Sequence, residues 1–224
     1  MGTGLLVAIV VGSGIFAQRL SPDDVGLQLL ENSLATGAGL VALILALGPV
    51  SGAHLNPVVT LADRVLGGIS TRDAGVYMVA QVAGGCLGAV VANLMFELPA
   101  VELSTETRSS GGMWLGEVVA TFGLVLVILG VVRSGRSSAA PVAVGAYIAS
   151  AYWFTSSTSF ANPAVTLGRT LTDTFAGIRP SSAPMFIALQ VVGALLATAL
   201  ARYLHPDLTG EDVIVPHPSH RQET

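Results

Sequence analysis

The hexapeptide Asn56-Pro57-Val58-Val59-Thr60-Leu61 returns 106 positions later as Asn162-Pro163-Ala164-Val165-Thr166-Leu167. Asparagine is a preferred N-cap residue of helices, and proline suits the first helical turn because its nitrogen carries no hydrogen that needs a partner. Each copy follows a stretch rich in small and polar residues. Both copies therefore predict a loop that leads into a helix, with the asparagine as the cap.

The composition places the chain in a membrane. Of its 224 residues 52% are hydrophobic and only 11% are charged, and the mean hydropathy is +0.71. Soluble domains carry about 25% charged residues. No basic stripe is present, so we expect no nucleic-acid partner. The single cysteine, Cys86, lies in an apolar run, and we expect no metal site and no cofactor.

Six segments approach the roughly 20 apolar residues that a membrane helix needs. They are about 1–18, 26–49, 74–97, 113–133, 139–157 and 184–204. The two Asn-Pro stretches, about 51–68 and 157–172, are too short to cross a bilayer alone. Short helices are tolerated at membrane depth where their irregular approach is buried in protein or lines a cavity, so we predict re-entrant half-helices. Residues 205–224 are predicted as a polar C-terminal tail.

The chain contains an internal repeat with halves at about 1–98 and 113–204. Besides the two hexapeptides, Gln81-Val82-Ala83-Gly84 returns as Gln190-Val191-Val192-Gly193. Each half holds three spans and one half-helix, and an odd number of spans forces the halves to insert in opposite orientations. The inverted repeat predicts that the N-termini of the two half-helices face each other.

The residues Ser51-Gly52-Ala53-His54-Leu55-Asn56-Pro57-Val58 and Asn162-Pro163-Ala164 resemble the paired boxes of the aquaporin and glycerol facilitator family. The resemblance extends over nearly the whole chain. It implies an all-α membrane protein with six transmembrane helices and two half-helices in a right-handed bundle, with residues 1–204 as one channel domain. It also implies a homotetramer in membrane lipid, with one pore per subunit for water or small uncharged solutes, and no enzymatic activity.

The arginines favour one orientation slightly. If both termini are cytoplasmic, six arginines lie inside and four outside, in the sense of the positive-inside rule. The six are Arg64, Arg72, Arg133, Arg136, Arg202 and Arg221. We predict this orientation and a bacterial plasma membrane as the location.

The two half-helices place partial positive charge at the predicted pore centre. The resemblance implies that the amides of Asn56 and Asn162 donate hydrogen bonds to a passing solute, while the same field repels cations. Pro57, Pro163 and Ala164 complete the motifs, and Val58 replaces the usual alanine of the first box.

The approach segments should run extended, with the carbonyls of about 51–54 and 157–160 along the pore. His54 corresponds to a histidine that precedes the first box in many family members. Polar residues at such depth are usually functional. We expect His54 in the cytoplasmic vestibule.

The outer constriction departs from the family pattern. Family members carry arginine directly after the second box, where this chain has Val165. Carrying the remaining positions over by spacing gives a selectivity filter of Thr36, Ser150, Ser159 and Val165. This ring contains neither a cation nor a large side-chain ring, so the resemblance implies a wide and mildly polar filter.

Two charged residues bear on this filter. Arg169 lies one helical turn beyond Val165. We expect it in the outer vestibule, paired with Asp173, and the alternative is that it reaches back to the constriction. Glu117 is the only acid well inside an apolar run, and the resemblance implies that it braces a half-helix. Its counterpart in the first half would precede Met1.

These features favour a passive channel for water, glycerol-like polyols, urea and neutral metalloid hydroxides such as arsenous acid. One alternative is a water-selective channel in which Arg169 rebuilds the filter. Another is a secondary transporter, because inverted repeats and broken helices also occur in that class.

Overall fold

A computed structural model describes residues 1–206, and all regular secondary structure in this range is helical. The helices are α1 (Gly2–Leu20), α2 (Val25–Ser51), α3 (Pro57–Leu66), α4 (Thr71–Met95), α5 (Gly111–Arg133), α6 (Ala140–Phe154), α7 (Pro163–Gly168) and α8 (Ala183–Leu204). Short 3₁₀ turns precede α6 and follow α7. The predicted all-α fold is confirmed. Apart from residues 205 and 206, the predicted tail lies outside the described residues.

Five helices of the described part are long and apolar enough to cross a membrane: α1, α2, α4, α5 and α8. The fifth predicted span, 139–157, is the shorter helix α6 with 15 residues. It ends at Phe154 because the chain leaves the helix there to form the second approach loop. The half-helices α3 and α7 have 10 and six residues.

Side-chain caps fix several helix starts. Asp24 accepts a hydrogen bond from the backbone N–H of Leu27 at 2.9 Å. Ser70 caps α4, and Ser110 caps α5 in the same way. Each cap satisfies an N–H group that has no partner inside its helix. Gly67, which follows α3, adopts a φ of 90°, a conformation that favours glycine.

The packing of the helices repeats between the two halves. In the first half α1 packs against α2 and α4, and in the second half α5 packs against α6 and α8. Contacts between α2 and α6 join the halves, and the half-helices α3 and α7 touch each other between them. A Cβ atom on Gly193 of α8 would lie 2.6 Å from the carbonyl oxygen of Val118 on α5. Such close approach of backbones is typical of membrane helices.

Candidate pore

The two motif asparagines are joined by crossed hydrogen bonds between the halves. Asn56 Nδ2 donates to the carbonyl oxygen of Ala161 at 2.7 Å, and Asn162 Nδ2 donates to that of Leu55 at 2.9 Å. Each amide nitrogen carries two hydrogens, and the crossed bond uses one of them. Both asparagines also line the central cavity, so the second hydrogen is available there.

The same asparagines cap the half-helices. Asn56 Oδ1 accepts from the N–H of Val58 at 3.0 Å. Asn162 Oδ1 accepts from the N–H groups of Ala164 and Val165, at 3.0 and 3.2 Å. Pro57 and Pro163 lie in the first turns, and both half-helices begin at the cavity. Their partial positive charges therefore meet at the Asn pair.

The approach loops do not run extended, and that prediction is wrong. Five non-glycine residues in them have positive φ angles between 45° and 60°. They are Ala53, Leu55, Thr158, Ser159 and Ala161. Such conformations are unfavourable for residues with a Cβ and persist only where surrounding contacts enforce them. Here the crossed asparagine bonds hold the carbonyls of two of the five.

Glu117 of α5 holds the second approach loop. Its carboxylate oxygens accept from the N–H groups of Phe160 and Ala161, each at 3.0 Å, and from Gln190 Nε2 at 2.5 Å. Gln190 also donates to Thr166 on α7 at 2.9 Å. The carboxylate is fully buried. This network ties α5, α8, the loop and α7 together.

A cavity of about 370 Å³ passes the Asn pair. Much of its wall is apolar, with side chains such as Leu40, Val59, Leu124 and Ile128. The polar or aromatic side chains on the wall include Thr36, His54, Asn56, Tyr152, Ser159, Phe160, Asn162 and Arg169. Near the ends of α2 and α6, residues Gly48, Pro49, Ser137 and Ser138 complete the lining.

Ser150 does not belong to the filter, so that prediction is wrong. It is exposed on the outside of the helix, and its hydroxyl donates to the carbonyl of Tyr147 at 2.7 Å. Tyr152 faces the cavity instead, with its hydroxyl 3.2 Å from that of Thr36. The register inferred by spacing was two residues off, which turns a side chain about 200° around a helix with 3.6 residues per turn.

Arg169 lies at the cavity wall and not in an outer vestibule. It is 2% exposed, and its guanidinium carbon lies 3.4 Å from the ring centroid of Phe160. Its Nε donates to the carbonyl of Ala176. The cavity wall therefore carries a cation and aromatic rings, which the ring predicted from the sequence does not contain.

The predicted Arg169–Asp173 pair is also wrong. The exposed Asp173 accepts from the backbone N–H of Thr105 at 2.8 Å and from its hydroxyl at 3.1 Å. The prediction assumed a continuing α-helix, but α7 ends at Gly168 and the chain turns away. Thr36, Ser159 and Val165 do line the cavity.

A second arginine approaches Phe160 from the loop between α4 and α5. The guanidinium carbon of Arg108 lies 5.2 Å from the Phe160 ring centroid. Arg108 donates to the carbonyls of Gly177 and Phe175 at 2.9 and 3.2 Å. Burial lowers the pKa of Arg108. A guanidinium starts from so high a pKa that the group stays charged.

His54 lies at the cavity wall near the first half-helix. Its Nε2 is 3.3 Å from Asp63 Oδ2, and its Nδ1 is 3.0 Å from the hydroxyl oxygen of Thr60. Asp63 is a second acid inside the bundle, so the prediction that Glu117 stands alone is wrong. Sequence reasoning missed Asp63 because α3 is short and Arg64 follows directly, which is typical of a helix end at the membrane surface.

Paired asparagine-capped half-helices that meet inside a bundle of apolar helices define a multi-pass membrane channel. The family model described as Major intrinsic protein matches residues 1–159. The chain belongs to this family, and the predictions of a channel and of a protein without enzymatic activity are confirmed by that membership.

Individual relatives agree with the family. The chain is 52% identical over 204 residues to "Aquaglyceroporin AqpS" of Rhizobium meliloti, which covers 91% of this chain and 87% of the relative. It is 29% identical over 218 residues to "Aquaporin AqpM" of Methanothermobacter thermautotrophicus, with 88% of both chains covered. The solved structure of an aquaglyceroporin from Plasmodium falciparum matches with a TM-score of 0.70 at 23% identity. That match covers 92% of this chain and 95% of the other and supports the fold.

The Glu117 network predicts the effect of one substitution. Glu117→Gln replaces an acceptor of three hydrogen bonds by an amide whose NH₂ group faces other donors. We expect the free energy of unfolding to fall by roughly 1–3 kcal/mol, the usual cost of a buried group without a partner. Denaturant titration in detergent micelles measures it. Glu102→Gln, at an exposed acid in the loop before α5, is the control, and equal effects of the two changes would contradict the bracing role.

Proposed function

We propose that the protein is a passive channel for water and small uncharged solutes of the glycerol type. The observation that carries this proposal is the cavity, whose lining is largely apolar and includes polar groups such as those of the Asn pair. Polyols combine a carbon skeleton with hydroxyl groups and match both surfaces. Urea and neutral metalloid hydroxides such as arsenous acid are of similar size and belong to the same proposed class. The name of the Rhizobium meliloti relative, an aquaglyceroporin, supports it.

The Asn pair supplies the polar contacts of this pathway. The remaining amide hydrogens of Asn56 and Asn162 can donate to the oxygen of a water or a hydroxyl group. The carbonyl oxygens of Leu55 and Ala161 each have two lone pairs, and the crossed bonds occupy one. A solute that passes the pair can thus exchange hydrogen bonds with water for hydrogen bonds with the wall, while Val59 and Val165 contact its carbon atoms.

Cations meet an unfavourable field along the same path. The N-termini of α3 and α7 point their partial positive charges at the Asn pair, and the guanidinium of Arg169 adds a full charge on the side of α7. Such fields repel protons and cations in channels of this kind. Neutral solutes do not experience this barrier.

A water-selective channel is the second candidate, and the position of Arg169 favours it. A buried guanidinium at the cavity wall can narrow the pore and donate hydrogen bonds to passing water molecules. However, the stack on Phe160 and the bond to Ala176 hold this guanidinium against the wall. We therefore favour a pore that also admits glycerol.

The membrane setting completes the proposal. Large apolar side chains are exposed along α2, α4 and α8, among them Leu34, Leu87 and Leu196, and they fit a lipid surface. We propose a homotetramer in a bacterial plasma membrane with both termini cytoplasmic, where His54 faces the inner vestibule. The Rhizobium relative supports the bacterial location.

Flux into liposomes tests the solute class. We expect stopped-flow light scattering to show water and glycerol permeation above the level of empty liposomes. Val165→Trp should block both fluxes because Val165 lines the cavity. Ser150→Trp is the matched control, since Ser150 lies outside the pore and its change should leave both fluxes in place. Water flux without glycerol, urea or arsenous acid flux would reject the wide-pore version.

Arg169→Ala separates the two candidates. If the guanidinium rests against the wall, we expect the ratio of glycerol to water permeability to change by less than about threefold. A water filter built by Arg169 predicts a rise of about tenfold or more, because the pore loses its narrowing group. Arg179→Ala serves as the control, as Arg179 is exposed in the same loop.

A further inference from the structure

The two halves of the chain place a charged side chain at the same repeat position. Asp63 and Arg169 are separated by the same 106 positions as the motif asparagines, and so are His54 and Phe160. In the second half the charged residue contacts the aromatic ring of Phe160. In the first half the charged residue contacts the ring of His54. One contact is thus repeated with the opposite charge.

The pair of His54 and Asp63 is deeply buried. Their side chains are only 1% and 2% exposed. Within the described part of the chain, Asp63 forms no other ion pair, and its Oδ1 has no hydrogen-bond partner. A buried carboxylate is costly unless a positive or donor group compensates it. The position of His54 Nε2 makes the imidazole that group.

The neighbouring hydroxyl decides how many protons the imidazole carries. Thr60 has one hydroxyl hydrogen, and its Oγ1 lies 3.2 Å from the carbonyl oxygen of Asn56. It accepts from Gln81 Nε2 at 3.0 Å. In the second half Thr166 makes the same two bonds, to Asn162 and from Gln190. The repeat therefore assigns the hydroxyl hydrogen to the asparagine carbonyl.

That assignment leaves no hydrogen on Thr60 for His54. The Nδ1 atom of His54, 3.0 Å from Thr60 Oγ1, must then donate its own hydrogen. If Asp63 carries its negative charge, its carboxylate only accepts, and the Nε2 atom 3.3 Å away must donate as well. An imidazole that donates from both nitrogens is positively charged.

We propose that Asp63 is an ionised positioning residue that holds His54 as an imidazolium at the wall of the pore. His54 lines the cavity and Asp63 does not, so the positive member of the pair faces the path. Together with Arg169, the pore then carries a fixed positive charge on each side of the Asn pair. This proposal deepens the proposed channel function and rests on it.

The surroundings of the pair favour this charge state. From α4, the ring centroid of Tyr77 lies 5.4 Å from that of His54, and aromatic rings attract cations. On α3 itself, Arg64 is exposed and donates to Thr71 at 2.8 Å, away from the pair.

The role of the two positive charges, on His54 and Arg169, is to exclude cations and protons from both directions while neutral solutes pass.

Nitrogen NMR on the whole protein in liposomes tests the charge directly. With ¹⁵N-labelled histidine at a pH about two units above the ordinary histidine pKa of roughly 6.5, we expect one imidazolium signal with hydrogens on both nitrogens. His54→Gln should remove this signal and so assign it. A neutral His54 in the unaltered protein would overturn the proposal, and this result does not depend on any conduction.

Asp63→Asn tests the positioning role. Without the carboxylate a buried cation is too costly, so we expect the imidazolium signal to disappear and proton flux to rise about tenfold or more. Water permeability should stay within about twofold, because the Asn pair is untouched. Asp73→Asn, at an exposed acid of α4, should change neither the signal nor the proton flux.

The outcomes separate this proposal from the channel function. A persistent imidazolium signal or an unchanged proton flux in Asp63→Asn would contradict the role of Asp63. Absence of water and glycerol flux in the unaltered protein would reject the channel function and leave the NMR result to decide the charge of His54. If the Asp63→Asn protein fails to fold, the NMR signal of the unaltered protein still decides whether His54 is an imidazolium.

Discussion

The crossed hydrogen bonds of Asn56 and Asn162 are the constraint on which the rest of the structure depends. A helix that begins inside a membrane has N–H groups without partners, and the bilayer offers no water to satisfy them. Each asparagine caps its own half-helix with Oδ1 and reaches the opposite loop with Nδ2. Each half therefore needs the asparagine of the other half to hold its approach loop. Two of the five loop residues with positive φ, Leu55 and Ala161, are held by these bonds.

The two halves share this scaffold but differ in the charges around it. Glu117 braces the second approach loop from α5, whereas in the first half Asp63 acts on the loop through His54. The equivalent contact in the second half joins Arg169 to Phe160. The repeat thus preserves the hydrogen bonds that hold the half-helices and varies the charged residue seven positions beyond each capping asparagine.

Local patterns made the scaffold predictable from sequence. The Asn-Pro starts and the apolar spans depend on residues close in the chain, and the repeat is visible because these local patterns recur 106 positions later. The structure places the corresponding helices within a few residues of the predicted bounds. The filter residues were harder to predict, because their positions depend on the register of a helix and on the residue at which a helix ends. Ser150 failed because a shift of two residues reverses the face of α6, and the Arg169–Asp173 pair failed because α7 ends at Gly168. The Asp63–His54 contact joins a loop to a helix and has no signature in spacing alone.

Hydrogen exchange measured by mass spectrometry on the Asn162→Ala protein in lipid nanodiscs tests the crossed bonds most directly. If each asparagine holds the opposite loop, loss of Asn162 removes its bond to Leu55 and speeds amide exchange in the first approach loop, residues 52–58, as well as at the start of α7. Faster exchange confined to the second half, with the first loop as protected as in the unaltered protein, would contradict the mutual support of the two half-helices.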